Sequence, residues 1–298
     1  MWRFVHLTDT HLGGDRDDDG FHRIIRTSMP DAITCLRRDL ARIAPDFVLI
    51  TGDIAAAQHR DAYFAARDLL DSFSVPYYPL AGNCDHAHEE GRRYFVEAFQ
   101  PHLPGGDTHF MFTHKGLRFI ALDPWWVRSD GSLAPHRVSP DSPLRWAVPP
   151  AQFELLQETL ASDADTPTVV ACHYPLAEPE PPPETEALHR GGLEDADALL
   201  DTLSAHPQVR LYLCGHAHRH HIQPLGGESS RVRQVITAAF CEYPVEFRVI
   251  EVGETHLELT TAGLSTPQFA EASLIEANRW TAGDDAHRSL RVSLQAAD

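Results

Sequence analysis

Cysteine, positive charge and long apolar runs are all scarce in this chain, and each shortage excludes something. The five cysteines are an odd number, widely spaced and without a C-x-x-C pair. That is poor material for a disulfide framework or a thiolate-rich structural zinc site, and it fits a reducing cytosol. No run of about 18 apolar residues occurs, so no membrane-spanning helix is expected. The chain opens on the strand-like WRFVHLT, without the basic, apolar and small-residue zones of a secretory leader, so a cytoplasmic location is expected. With 25 Lys and Arg against 43 Asp and Glu, the net charge of −18 argues against a broad grip on nucleic acid polymers. A small anionic substrate stays open, because bound metal ions reverse the sign of a single pocket. A homo-oligomer is neither indicated nor excluded.

What is present is enough apolar material, 43 % of 298 residues, for one large core or two small ones. Short apolar runs read as strands at 2–8, 46–53, 75–83, 168–175 and 209–218. A hairpin over 109–124 turns near Lys115-Gly116. Helical spacing links Ile33, Leu36, Leu40 and Ile43, with Ser28 as N-cap, and recurs at Ala62, Ala66, Leu69 and Phe73. Pro150 opens a helix on Phe153, Leu156 and Leu160, and another carries Ala196, Leu199 and Leu203. Three β-like runs, 231–239, 245–252 and 256–263, follow. Strand–helix alternation with unbroken apolar strands predicts an α/β layered domain whose sheet faces are covered by helices. Residues 124–149, rich in Pro, Ser and Trp, read as an insertion or lid, and 175–192 as an extended Pro/Glu-rich loop.

The strand ends carry the chemistry. The first runs into TDTH, giving Asp9 and His11; the second into TGD, giving Asp53; the third into Asn83-Cys84-Asp85-His86. Two more run into CHYP, giving His173, and CGHAH, giving His216 and His218. In an open α/β sheet, ligands bind just outside the carboxyl ends of the strands, so five clusters converge on one rim. Carboxylate, imidazole and amide oxygen suit borderline divalent metals such as Mn, Fe, Co or Zn. Seven such groups exceed what one ion needs and fit two ions that share a carboxylate, about 3.5–4 Å apart.

The ordered set Asp9-x-His11, Gly52-Asp53, Gly82-Asn83, His173 and Gly215-His216-x-His218 resembles the calcineurin-like metallophosphoesterase family over roughly residues 1–260. FVHLTDTHL and LITGDI look most like its class III cyclic-nucleotide phosphodiesterase branch. The resemblance implies a four-layer α/β/β/α sandwich over residues 1–265, with 266–298 as a C-terminal tail. It implies one ion on Asp9, His11, Asp53 and His218, and a second on Asp53, Asn83, His173 and His216, with a bridging hydroxide attacking phosphorus. The reading is a binuclear phosphodiesterase acting on small organic phosphodiesters or cyclic nucleotides. A phosphomonoesterase of the same family and a non-catalytic metal-binding interaction module are its alternatives.

One position departs from the family. GNHD is usual there, and this chain reads Gly-Asn-Cys-Asp. The missing imidazole would contact the phosphate and help protonate the leaving oxygen; a thiol of ordinary pKa about 8.5 can donate a proton but adds no positive charge. Asn83, Cys84, Asp85 and His86 are the candidate catalytic group, His86 as a stand-in imidazole. Trp125 and Trp126 are candidate aromatic walls for a substrate base or aryl group, and His22 a further pocket residue. His220 and His221 read as a solvated turn, and Asp15–Gly20 as an exposed acidic loop.

Overall fold

Side-chain alternation along the strands decides the layering. In one strand set Phe119, Ala121, Val169, Ala171, Leu211, Leu213 and Val235 belong to one core. Their immediate neighbours Ile120, Val170, Tyr212, Cys214 and Ile236 belong to a second. A period of two with apolar residues on both faces is what a sheet covered on both sides requires. The computed structural model describes residues 1–19, 23–57, 59–139, 141–179, 191–227 and 230–295.

Two six-stranded sheets result. The first runs Ser289–Ser293, His256–Gly263, Glu246–Val252, Trp2–Leu7, Phe47–Thr51, Tyr77–Leu80. The second runs His221–Pro224, Arg233–Ile236, Val209–Cys214, Thr168–Ala171, Leu117–Ala121, Phe110–His114. Phe4 and Phe47 from the first meet Phe119 of the second at 5.2 and 5.3 Å between ring centroids, both edge to face. Helices Met29–Ile43, Arg60–Leu70 and Gly91–Phe99 bury apolar residues in the same core. Pro150–Ser162 and Ala196–Ala205 bury Leu156, Leu160, Leu199 and Leu203 on the outer face of the second sheet. This is the expected four-layer sandwich.

Trp2–Leu7, Phe47–Thr51 and Tyr77–Leu80 are mutually parallel. So are Leu117–Ala121, Thr168–Ala171, Val209–Cys214 and Arg233–Ile236. The hairpin turns at Lys115 and Gly116, with φ of 47° and 85°, the left-handed pair that a two-residue hairpin of matching twist needs. Ser28 occupies the N-cap of the first helix, yet its side chain makes no capping bond, and Pro30 lies in the first turn instead.

Several expectations change. Within 124–149, Trp125–Val127, Leu133–Ala134 and Arg145–Ala147 join Gly192–Leu193 in a four-stranded sheet. Trp126 is 3 % exposed and lies 5.0 Å from the Trp146 ring, so it is core rather than a substrate wall. The His220 side chain is fully buried, with Nε2 3.1 Å from Glu246 Oε2 and Nδ1 accepting the Ala238 N–H; it is no solvated turn. Beyond residue 265, Gln268–Ser273 is helical and Ser289–Ser293 forms the outer strand of the first sheet. His22 lies outside the described residues, as do 180–190 of the Pro/Glu-rich loop. Among the described residues no helix is long and apolar enough to cross a membrane.

Polar ties also cross between the sheets. His6, whose Nε2 is 2.8 Å from Thr51 Oγ1 within the first sheet, has its Nδ1 2.9 Å from Thr237 Oγ1 just beyond a strand of the second, and buried Arg248 donates to the Ile236 carbonyl at 3.2 Å. Burial, then the Arg248 charge, pushes His6 down from 6.5 to about 3. Between those values the unfolded chain binds a proton here that the folded chain refuses, so stability falls as pH falls, at about 1.4 kcal/mol per pH unit. His6→Gln is expected to flatten the acid-side stability slope by that amount. Urea unfolding at about pH 4 and about pH 6 measures it, and parallel slopes in the two proteins would refute it.

Candidate metal centre

Every parallel strand of both sheets runs toward one rim, and the polar residues just beyond their ends meet there. Asp9, His11, Asp53, His216 and His218 hold φ of 49°, 41°, 51°, 65° and 47°. They are five of the eight non-glycine residues with positive φ among the described residues. Such conformations cost about 1–3 kcal/mol each and persist only where the surroundings impose them, so their concentration marks a functional rim. The surroundings here are cross-strand bonds: Asp9 N–H to the Gly52 carbonyl and His11 N–H to the Asp53 carbonyl, both 3.0 Å. Gly52, at φ 95°, lies where a Cβ would stand 2.5 Å from His173 Nδ1, so any larger residue would displace that ring.

Asp53 lies in the middle. Its Oδ2 is 3.8 Å from His11 Nε2, its Oδ1 3.5 Å from His173 Nε2, and the Cys84 N–H donates to Oδ1 at 2.8 Å. Asp9 accepts the Thr8 hydroxyl at 2.6 Å and the His216 N–H at 3.1 Å on Oδ2, leaving Oδ1 3.2 Å from His218 Nε2. Asn83 Oδ1 is 3.2 Å from His173 Nε2. Ligand-type atoms of Asp9, His11 and His218 lie within 4.8 Å of one another, as do those of Asp9, Asp53 and His173, and of His11, Asp53 and Cys84.

Two tautomers are fixed from outside. The Thr51 carbonyl accepts from His173 Nδ1 at 2.7 Å, and Glu242 Oε1 accepts from His218 Nδ1 at 2.5 Å. Neither acceptor can donate, so each ring presents Nε2 to the rim, the usual arrangement for metal-ligating histidine. Burial would lower both imidazoles, but Asp53 raises His173 to about 9 and Asp9 raises His218 to about 10. Buried carboxylates facing buried imidazoles hold, in the absence of a cation, protons where a cation's charge would otherwise serve. Asp9 Oδ1 and His11 Nε2 are buried and make no hydrogen bond. The donor set fits divalent cations, as do these two atoms, which face only other candidate ligands, His218 Nε2 at 3.2 Å and Asp53 Oδ2 at 3.8 Å.

The rest of the third strand end divides differently from expectation. Asp85 is fully buried and accepts from the N–H groups of Ile54, Ala55 and Gly82 at 2.9–3.2 Å. Both its oxygens fasten backbone, so it braces the loop and does not face the rim as a catalytic group. Burial, then Asp53, pushes it up to about 7. His86 is buried, with Nδ1 3.0 Å from Arg92 Nη2, and burial followed by the Arg92 charge pushes it down to about 3. Arg92 also pairs with buried Asp123 and stands 5.4 Å from the ring of half-buried Trp125. Asp123 and Glu242, both beyond strand ends, escaped the sequence reading. The signal for Asp123 is the one used elsewhere, an apolar run ending in a carboxylate (IALD), whereas Glu242, six residues past its strand, carries none.

The sequence profile of the family described as calcineurin-like phosphoesterase matches residues 3–220. This chain belongs to that family. A probable cyclic nucleotide phosphodiesterase of a Synechococcus strain is 29 % identical over 63 % of this chain and 64 % of its own length, so the alignment spans just under two thirds of that relative. A glycerophosphodiester phosphodiesterase of Enterobacter lignolyticus is 26 % identical over 72 % of this chain and 70 % of its own. Among solved structures, a dimetal phosphatase from Danio rerio superposes with a TM-score of 0.69 over 99 % of both chains at 16 % identity, a likeness of fold.

Proposed function

We propose that this chain hydrolyses small organic phosphodiesters, cyclic nucleotides among them, at a centre for two divalent cations. Asp9, His11, Asp53 and His218 would hold one, and Asp53, Asn83, His173 and His216 the other. The observation that carries the reading is Asp53, with one carboxylate oxygen toward His11 and the other toward His173. Relatives named for cyclic nucleotides and glycerophosphodiesters support the diester class. Manganese, iron, zinc and cobalt all suit the donor set. Five cysteines without a disulfide, four of them buried, support a reducing, cytoplasmic setting.

Two such cations, when bound, neutralise phosphate charge and lower the pKa of water. The chain's own residues set the geometry. Thr51 and Glu242 hold His173 and His218 with Nε2 inward, Thr8 and the His216 amide fix one oxygen of Asp9, and the Cys84 amide fixes one of Asp53. No imidazole stands at position 84 to protonate a departing oxygen, and His86, fastened to Arg92, is neutral. Substrates whose leaving group needs no proton are therefore favoured. Aryl diesters are expected to turn over about 10²–10⁴-fold faster than alkyl diesters of equal binding, the usual worth of a general acid. Rates across a series of leaving groups measure this, and a flat series would refute it.

The primary test is turnover of bis-p-nitrophenyl phosphate against p-nitrophenyl phosphate with Mn²⁺. Diester hydrolysis ahead of monoester supports the reading; preference for the monoester, or no turnover of either, overturns it. Glu242→Gln, which removes the charge behind His218, is expected to weaken Mn²⁺ binding about 10–100-fold. Calorimetric titration measures that effect, and unchanged affinity would deny Glu242 a positioning role.

A further inference from the structure

All five cysteines are unpaired; Cys84 alone is not buried. Its sulfur, a His11 ring nitrogen and an Asp53 oxygen lie within 4.8 Å of one another, and a cation with bonds of about 2.0–2.3 Å to N, O and S can bridge such a triangle. His11 Nε2 is more than nine-tenths buried and makes no hydrogen bond. The Asn83 amide donates to the Cys84 sulfur at 3.4 Å. The Cys84 N–H meanwhile fastens the residue to Asp53 Oδ1, the carboxylate of the same triangle.

We infer that the Cys84 sulfur is a soft ligand to the cation held at His11 and Asp53, and that this centre takes zinc, cobalt or cadmium ahead of manganese and magnesium. The inference rests on the two-cation reading above. When the sulfur binds, the S–H bond breaks, the proton goes to solvent and the sulfur donates its electron pair to the cation, with no change of oxidation state. A sulfur so held has no proton for a leaving oxygen, so Cys84 acts on the choice of metal rather than on protonation. A thiolate ligand suits thiophilic ions, whereas carboxylate and carbonyl oxygens suit manganese and magnesium.

The experiment loads the full chain with Co²⁺ and, separately, titrates Cd²⁺ and Mn²⁺ into wild type, Cys84→Ser and Cys84→Ala. Wild type is expected to show a sulfur-to-cobalt charge-transfer band that both variants lack. Both variants are expected to bind Cd²⁺ about tenfold or more weakly while their Mn²⁺ affinity stays near wild type, which also shows that they fold. Two bound ions without the sulfur band in wild type overturn the inference and leave the two-cation centre standing; that outcome needs no variant. Fewer than two ions in wild type strike at the proposed function instead. Even then, a sulfur band that Cys84→Ser abolishes upholds Cys84 as a ligand, and its absence removes it.

Discussion

Asp53→Asn is expected to reduce phosphodiester turnover by at least about 10³-fold and to lower bound metal from two ions per chain to one or none. The substitution keeps shape and changes only charge and one donor atom. One oxygen becomes an NH₂, which offers no lone pair, and whichever way the amide turns it faces His11 Nε2 or His173 Nε2 across 3.5–3.8 Å. One half of the site therefore loses a ligand and both lose a negative charge. The backbone has no cause to move, since asparagine tolerates the left-handed φ of 51° as well as aspartate does. Elemental analysis beside circular dichroism separates loss of metal from loss of fold. Full metal content and near-normal turnover in Asp53→Asn would remove the shared carboxylate from the mechanism.

Metal removal should act on stability as much as on activity. The rim gathers buried Asp9 and Asp53 around His11, His173, His216 and His218, a charge arrangement that a cation completes. A ligand that binds only the folded state stabilises it by RT ln(1 + [L]/Kd), about 4 kcal/mol at a thousandfold excess over Kd. For a chain of this size each kcal/mol is worth about 2–4 °C. Chelation followed by gel filtration is expected to abolish turnover and lower Tm by about 8–16 °C, and Mn²⁺ to restore both. Calorimetry of the two forms measures the shift. A Tm indifferent to chelation, in protein whose metal loss has been verified, would mean that the rim residues are satisfied without a cation.

Much of this architecture was legible before any coordinates, because strands buried on both faces read as unbroken apolar runs and their ends are abrupt. VRLYLC turning into GHAH, or DFVLIT into GD, announces both a strand and a rim residue. What escaped notice depended on tertiary approach. Glu242 comes six residues after Arg233–Ile236 ends, and its value arises from a 2.5 Å contact with His218 that no local spacing encodes. His220 looked like part of an exposed HRHH turn, whereas Glu246 and the Ala238 amide occupy its two nitrogens in the interior. Trp125 and Trp126 could be told apart only once their segment was known to be a strand, where adjacent residues face opposite ways. Asp85 reads as chemistry because it is a carboxylate beside candidate ligands, yet three backbone amides take its oxygens.

The torsions at the rim carry a last implication for how this protein would drift. Any side chain pays for φ between 41° and 65°, the values at His11, His216 and His218, whereas glycine adopts them freely. Under laboratory evolution with metal withheld, rewarding nothing but abundant folded protein, those three imidazoles would be among the first to be exchanged. The scaffold would grow sturdier as it fell silent, losing its chemistry well before its shape.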